Sequence, residues 1–401
     1  MVQAPLPAAA TAAARQVTAA VQARLRRWID VLAPALVYLA VRQIGLLVLG
    51  WMSSATGGSA TAALTSWDGQ WFLGIASGGY DGVSAEMTDR FGQHDPGIAL
   101  AFFPGYPALV AAVAELPGVG TTAAALTVAV VSGIAFSYGL VRLAEHVPGG
   151  SRRAGLVLVA LVAAAPMGVV FSMGYSEATF CALAAWALVG VLRRQWVMAG
   201  ACCAAAGLVR PTAAALIAAV GLAALVPIIR QRDSWRPWVG AVLAPLGLAA
   251  YLGFVALRTR EWNGWFTLQR RGWDLTFDGG PSTLRFAREV LVTAPSVLDV
   301  VTVAVLAGAV ALLVMCALAW VRTPSWPLVG YAVGVLVMDL GTGGLMNIKA
   351  RLLLPAFVLL VPVAIGLARR RPSTTFAVLG ATAMASGWFG AYSLTVWPYA
   401  I

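Results

Sequence analysis

Residues 98–116 read IALAFFPGYPALVAAVAEL, from Ile98 to Leu116. An apolar stretch of this length with one acid could cross a bilayer, which takes about 20 residues. Pro104 and Pro107 argue against a straight crossing, because proline lacks an N–H and disrupts the preceding turn. Whether the stretch crosses sets the side of every later loop. Arginine decides, since cytoplasmic loops of membrane proteins carry an excess of Lys and Arg. With 98–116 lying at the outer surface, the inner loops are 1–30, 143–153, 193–196, 230–236, 322–325 and 369–373. With Arg142 at a span edge, they hold sixteen arginines and three acids. The rest of the chain holds eleven basic residues and thirteen acids. A crossing 98–116 would put Arg152, Arg193 and Arg369 to Arg371 outside or in poor alternation. The stretch is therefore read as a Pro-interrupted helix on the outer face.

The rest of the chain supports a membrane reading. Of 401 residues, 60% are hydrophobic and only 11% charged, whereas a soluble domain carries about 25% charged residues. The expected class is an all-α polytopic protein of the plasma (inner) membrane, in contact with membrane lipids. The run 31–52 is too long for a signal peptide core and is read as a retained first span. Further apolar runs lie at 122–142, 154–172, 178–192, 197–209, 211–229, 237–257, 297–321, 326–342, 351–368 and 374–393, making about eleven spans. The span before Arg210-Pro211 is expected to be broken or tilted. Residues 1–29 form a cytoplasmic arm, 30–396 a single transmembrane domain and 397–401 a short outer tail. Two long outer loops result, 53–121 and 258–296.

The net charge of +11 is used for topology, and no nucleic-acid partner is expected. There is no P-loop and no Gly-x-Gly-x-x-Gly fingerprint. Four cysteines and two histidines show no zinc spacing. The acids are scattered, so no metal or cofactor is required, although a divalent ion stays open.

In outer loop one, Leu64, Trp67, Trp71 and Ile75 fall at helical spacing, as in a helix lying in the membrane interface. Asp68 is offset from Trp67 toward water. It is either a general base on a lipid-anchored substrate or an N-terminal helix cap. Tyr175, Ser176 and Glu177 end the third span on the same side. Arg210, Lys349 and Arg351 also lie at outer helix ends, where they either meet an anionic lipid phosphate or snorkel. Arg42 lies deep in the first span, where a lone charge costs about 2.5–3.5 kcal/mol. It needs a polar partner, and Asp339, near the outer end of the ninth span, does not match its depth.

The motif Trp67-Asp68-Gly69-Gln70-Trp71-Phe72-Leu73-x-Ile75-Ala76-x-x-Gly79-Tyr80, followed by Ala101-Phe102-Phe103-Pro104-Gly105-Tyr106-Pro107, resembles the PIG-V family of mannosyltransferases. Tyr175-Ser176-Glu177, Arg210-Pro211-Thr212 and Arg351-Leu352-Leu353-Leu354-Pro355-Ala356-Phe357 follow in the same order, and Phe266-x-x-Gln269-x-x-x-Trp273 is similar. Gly105 stands where the family often has a bulky residue, and the Lys349–Arg351 approach is less regular. The resemblance implies a GT-C fold with interfacial helices in the first outer loop. It also implies a polyprenyl-phosphate-mannose donor and a glycolipid or other acceptor, with transfer on the extracytoplasmic face. Asp68 would be the catalytic carboxylate, and Arg351, Lys349 and Arg210 would bind the donor phosphate. Trp67, Gln70, Trp71, Tyr80, Phe103, Tyr106, Tyr175, Glu177 and Gln269 would contact substrate. The competing class is a transporter or flippase of lipid-linked sugars. Such proteins show broken helices and charges near the bilayer midplane, whereas here only Arg42 is deep.

Overall fold

The computed structural model describes residues 8–95, 97–231 and 234–401. Each apolar run read from the sequence is helical, continuous or broken. Among the described residues, four helices are long and apolar enough to cross a membrane: Arg27–Ala55, Thr121–Glu145, Arg236–Thr259 and Val297–Trp320. Shorter apolar helices stand between them, including Glu177–Leu192, Ala213–Ile229 and Trp326–Leu340. The protein is a multi-pass helical membrane protein. Large apolar side chains such as Leu47, Leu257 and Leu318 remain on its outside, as a lipid-facing surface requires.

The first helix begins at Ala8 and runs to Ala55. Residues 8–29 of the expected arm are thus helical and continuous with the first span, and residues 1–7 lie outside the described residues. The 98–116 stretch is broken, as its prolines predict. It forms a 3-10 turn at Ile98–Ala101 and a helix at Gly105–Ala114. Ten residues rise about 15 Å, half the hydrocarbon thickness of about 30 Å.

Glu177–Leu192 is the central helix. It buries thirteen of its sixteen residues, so it is apolar all round rather than on one stripe. Its one acid, Glu177, stands in the first turn, where a helix N-terminus favours negative charge. A second, smaller core joins the two long loops, 53–121 and 258–296, to the helix Leu246–Thr259. In it, Trp71, Ile75, Ile98, Phe103, Tyr251, Val255 and Leu268 pack as one cluster. Two short strands, Thr276–Phe277 and Thr342–Gly343, pair antiparallel with Phe277 opposite Thr342. They tie outer loop two to the end of Trp326–Leu340.

Arg42 finds the polar partners its depth demands. Its Nε donates to Ser172 Oγ at 2.9 Å and a terminal nitrogen donates to Ala163 O at 2.8 Å. Ala163 ends the helix Arg152–Ala163, so the guanidinium satisfies a carbonyl that the helix leaves open. Asp339 takes no part.

Candidate active site

The site begins at a strained turn. The helix Asp68–Gly78 starts with Trp67 at φ 55°, ψ −121°, a conformation that L side chains rarely adopt. Such strain persists only where surrounding structure enforces it. Here the segment before Glu177 does so. Gly174 N–H donates to Leu64 O at 2.9 Å, and the Tyr175 hydroxyl donates to Ser66 O at 3.2 Å. Asp68 is the first helical residue, in the favourable field of the N-terminus. It does not serve as the N-cap, a position that Trp67 occupies without a side-chain hydrogen bond.

Four charged side chains from four separate stretches meet here, Asp68, Glu177, Arg210 and Arg351. Arg351 lies 2.8 Å from Asp68 Oδ2 and, through Nε, 3.5 Å from Glu177 Oε1. Arg210 lies 2.6 Å from the same Glu177 oxygen and donates to Ser176 Oγ at 3.1 Å. The Arg351 guanidinium also sits over the Tyr175 ring at 5.2 Å, a cation–π distance. Glu177 is 0% exposed, and neither of its oxygens has a hydrogen bond of good geometry. Charge alone holds it between the two guanidiniums. The quartet carries two positive and two negative charges. Among the described residues the one ion-pair partner of the Asp68 carboxylate is Arg351, and the Asp68 side chain is 26% exposed.

A cavity of about 500 Å³ opens beside this quartet. Asp68, Arg210 and Arg351 line it, with Ser176, Phe72, Phe102, Phe103, Trp265, Phe266, Gln269, Trp273, Phe277, Asp339 and Thr342. The helix Gly264–Trp273 clamps the Phe102-Phe103 segment. Trp265 Nε1 and Gln269 Nε2 each donate to Ala101 O at 3.1 Å. The departure at Gly105 has a physical reason. Its N–H donates to Leu208 O at 2.7 Å, and a Cβ there would stand 2.8 Å from that oxygen. Close backbone contact seats the Pro104–Tyr106 turn against the residues leading to Arg210.

Of the residues proposed from sequence, Asp68, Arg210, Arg351, Phe103 and Gln269 reach the cavity. The others stand behind the wall or away from it. Trp71 is buried, stacked on Phe102 at 5.4 Å between ring centres, so it faces protein rather than the membrane interface. Tyr106 donates to Ala125 O at 3.0 Å. Tyr80 donates to Phe102 O at 2.8 Å, and burial pushes its phenol up to about 12, which keeps it a donor. Tyr175 is buried beneath the Arg351 guanidinium, and Glu177 is the fully buried member of the quartet. Trp67 and Gln70 are exposed outside the cavity.

Lys349 is placed differently from the sequence expectation. Its ammonium donates to Asp339 O and to Thr342 O, the latter at 2.7 Å. It closes the carbonyl end of Trp326–Leu340 and does not line the cavity. The sequence reading missed Phe102, Phe277 and Thr342 as lining residues, and Asp339 as well. The last was visible only as a charge in an apolar run.

Among the described residues, no group of three His, Cys, Asp or Glu side chains converges to hold a metal ion. No family model and no curated protein matches the chain. Solved structures do. The structure of ArnT from Cupriavidus metallidurans bound to undecaprenyl phosphate matches with a TM-score of 0.53 and 17% identity over 84% of this chain. The apo state of ArnT from the same organism matches with a TM-score of 0.49 and 20% identity, over 76% of this chain and 55% of that one. This chain covers 61% of the undecaprenyl-phosphate-bound structure's length. What is shared at this identity is the architecture: the chain has a helical GT-C-type fold.

Proposed function

We propose that this chain is an integral-membrane glycosyltransferase of PIG-V type, moving mannose from a polyprenyl-phosphate donor to an acceptor on the extracytoplasmic face. We propose a cytoplasmic amino terminus, and an active site and carboxyl terminus outside. The observation that carries the reading is one cavity bounded by the partly exposed Asp68 carboxylate and by the Arg210 and Arg351 guanidiniums. The fold likeness adds support, since the similar ArnT structure holds undecaprenyl phosphate.

The chemistry needs one base. Asp68 Oδ1 takes the proton from the acceptor hydroxyl as its oxygen attacks the anomeric carbon. The bond from that carbon to the phosphate oxygen breaks, and the electron pair leaves on the lipid phosphate. A phosphate monoester dianion is a good leaving group, so no general acid is needed. Attack from the opposite face inverts the configuration, as in single-displacement glycosidases. Arg351 and Arg210 stabilise the charge that grows on the phosphate. In the free protein Arg351 is paired with Asp68. A phosphate arriving at Arg351 competes with that carboxylate, so donor binding frees the base for the acceptor.

Membranes holding the protein, given labelled polyprenyl-phosphate mannose and a panel of acceptor lipids, should transfer label. Asp68→Asn should lower transfer by about two to four orders of magnitude, the usual range for loss of a general base. Near wild-type turnover in that variant would exclude Asp68 as the base.

A further inference from the structure

Asp339 lies in the cavity wall, away from the quartet. It is 3% exposed, and neither carboxylate oxygen has a hydrogen-bond partner among the described residues. An unpaired buried carboxylate is costly, and this one stands near the C-terminus of its helix, where the backbone field adds to the cost. The nearby ammonium of Lys349 relieves it through charge only, its hydrogen bonds going to two backbone carbonyls rather than to the carboxylate. Asp339 lines the cavity, so a molecule that fills it is placed to supply the missing donors.

The neighbourhood indicates their kind. The Phe277 ring covers Gly341, two positions after Asp339, where any Cβ would meet it. The strand pairing of Phe277 with Thr342 holds it there, and Asp278 N–H donates to Gly341 O at 2.9 Å. Phe277 is 66% exposed and lines the cavity. An acceptor-only carboxylate beside an aromatic face suits a polyhydroxylated ring, with hydroxyls to donate and C–H bonds to lie on the aromatic. The short helix Lys349–Leu352 links this wall to the quartet, for Lys349 meets the Asp339 end while Arg351 meets Asp68.

We propose that Asp339 and Phe277 form the subsite for the sugar of the lipid-phosphate donor, with the Asp339 carboxylate accepting hydrogen bonds from sugar hydroxyls. The inference rests on the functional reading above and names the residue that selects the sugar. A site built to bond a hydroxyl rejects an analogue that lacks it, because its own buried group is left unpaired.

The test uses polyprenyl-phosphate mannose, its four monodeoxy analogues and sugar-free polyprenyl phosphate. Wild-type protein should use at least one deoxy donor about ten- to a hundredfold less well than the parent, the range for a hydrogen bond to a charged group. Asp339→Ala should use the parent donor less well by a similar factor and lose that discrimination. Binding of sugar-free polyprenyl phosphate should be unchanged. Asp339→Asn, which keeps the shape, carries the same comparison if the alanine variant does not fold. Full wild-type discrimination in the variants, or equal losses with every donor, would overturn the subsite. Wild-type protein that binds no polyprenyl phosphate would instead overturn the functional reading, and this inference with it.

Discussion

Glu177 is the residue on which the charge arrangement turns. It stands 2.6 Å from Arg210 and 3.5 Å from Arg351, with no exposure to solvent. Removing one partner of a buried ion pair costs about 3–5 kcal/mol, because the remaining charge is stranded. Glu177→Gln should therefore lower the thermal unfolding midpoint of detergent-solubilised protein sharply, although Glu177 never reaches the cavity. An unchanged midpoint would mean that the two arginines do not depend on it. Arg351 has a double role, neutralising Asp68 and Glu177 and facing the cavity. Arg351→Ala should weaken donor use by roughly ten- to a hundredfold. Arg351→Lys, which keeps the charge but not the planar fork, should recover part of it. Donor dependence of transfer at saturating acceptor is the measurement, and unchanged dependence in both variants would remove the phosphate from Arg351.

At the scale of elements, two turns set the site, and each can be perturbed alone. Trp67 holds φ 55° immediately before Asp68. Replacing it with glycine or alanine removes the same ring, so the two variants differ mainly in backbone tolerance. The glycine variant should be the more stable by about 1–3 kcal/mol, measured as the difference in unfolding free energy. Alanine equal or better would show that the turn relaxes freely. Gly105 backs onto Leu208 O. Gly105→Ala should cost about 1–3 kcal/mol by overpacking and reduce donor use, because the strained contact adjoins the turn that carries Arg210. Stability and donor use both at wild-type values would place the two turns further apart than described.

At the scale of the whole molecule, the proposed sides rest on the arginine count. Cysteine placed at Arg194, in an expected inner loop, should resist a membrane-impermeant maleimide in intact cells. Cysteine at Pro295, in outer loop two, should react. Both positions are exposed, so accessibility reports the side rather than burial, and the reverse pattern would invert the topology.

The helical membrane class and the position of each apolar run were legible in the sequence, because hydropathy and proline placement are local properties. The break inside 98–116 was legible for the same reason, and so was Asp68 as a candidate. Arg42's need for a partner followed from depth alone, though its identity as Ala163 O and Ser172 did not. Tertiary structure alone decided that Asp68, Glu177, Arg210 and Arg351 share one cluster, that Lys349 turns to backbone carbonyls, and that Trp71 faces Phe102. These outcomes depend on which helix ends meet across long stretches of chain, and no local period records that. Asp339 shows the limit most plainly. A lone acid in an apolar run reads the same whether a cation satisfies it or a cavity leaves it waiting, and only the packing around it separates the two.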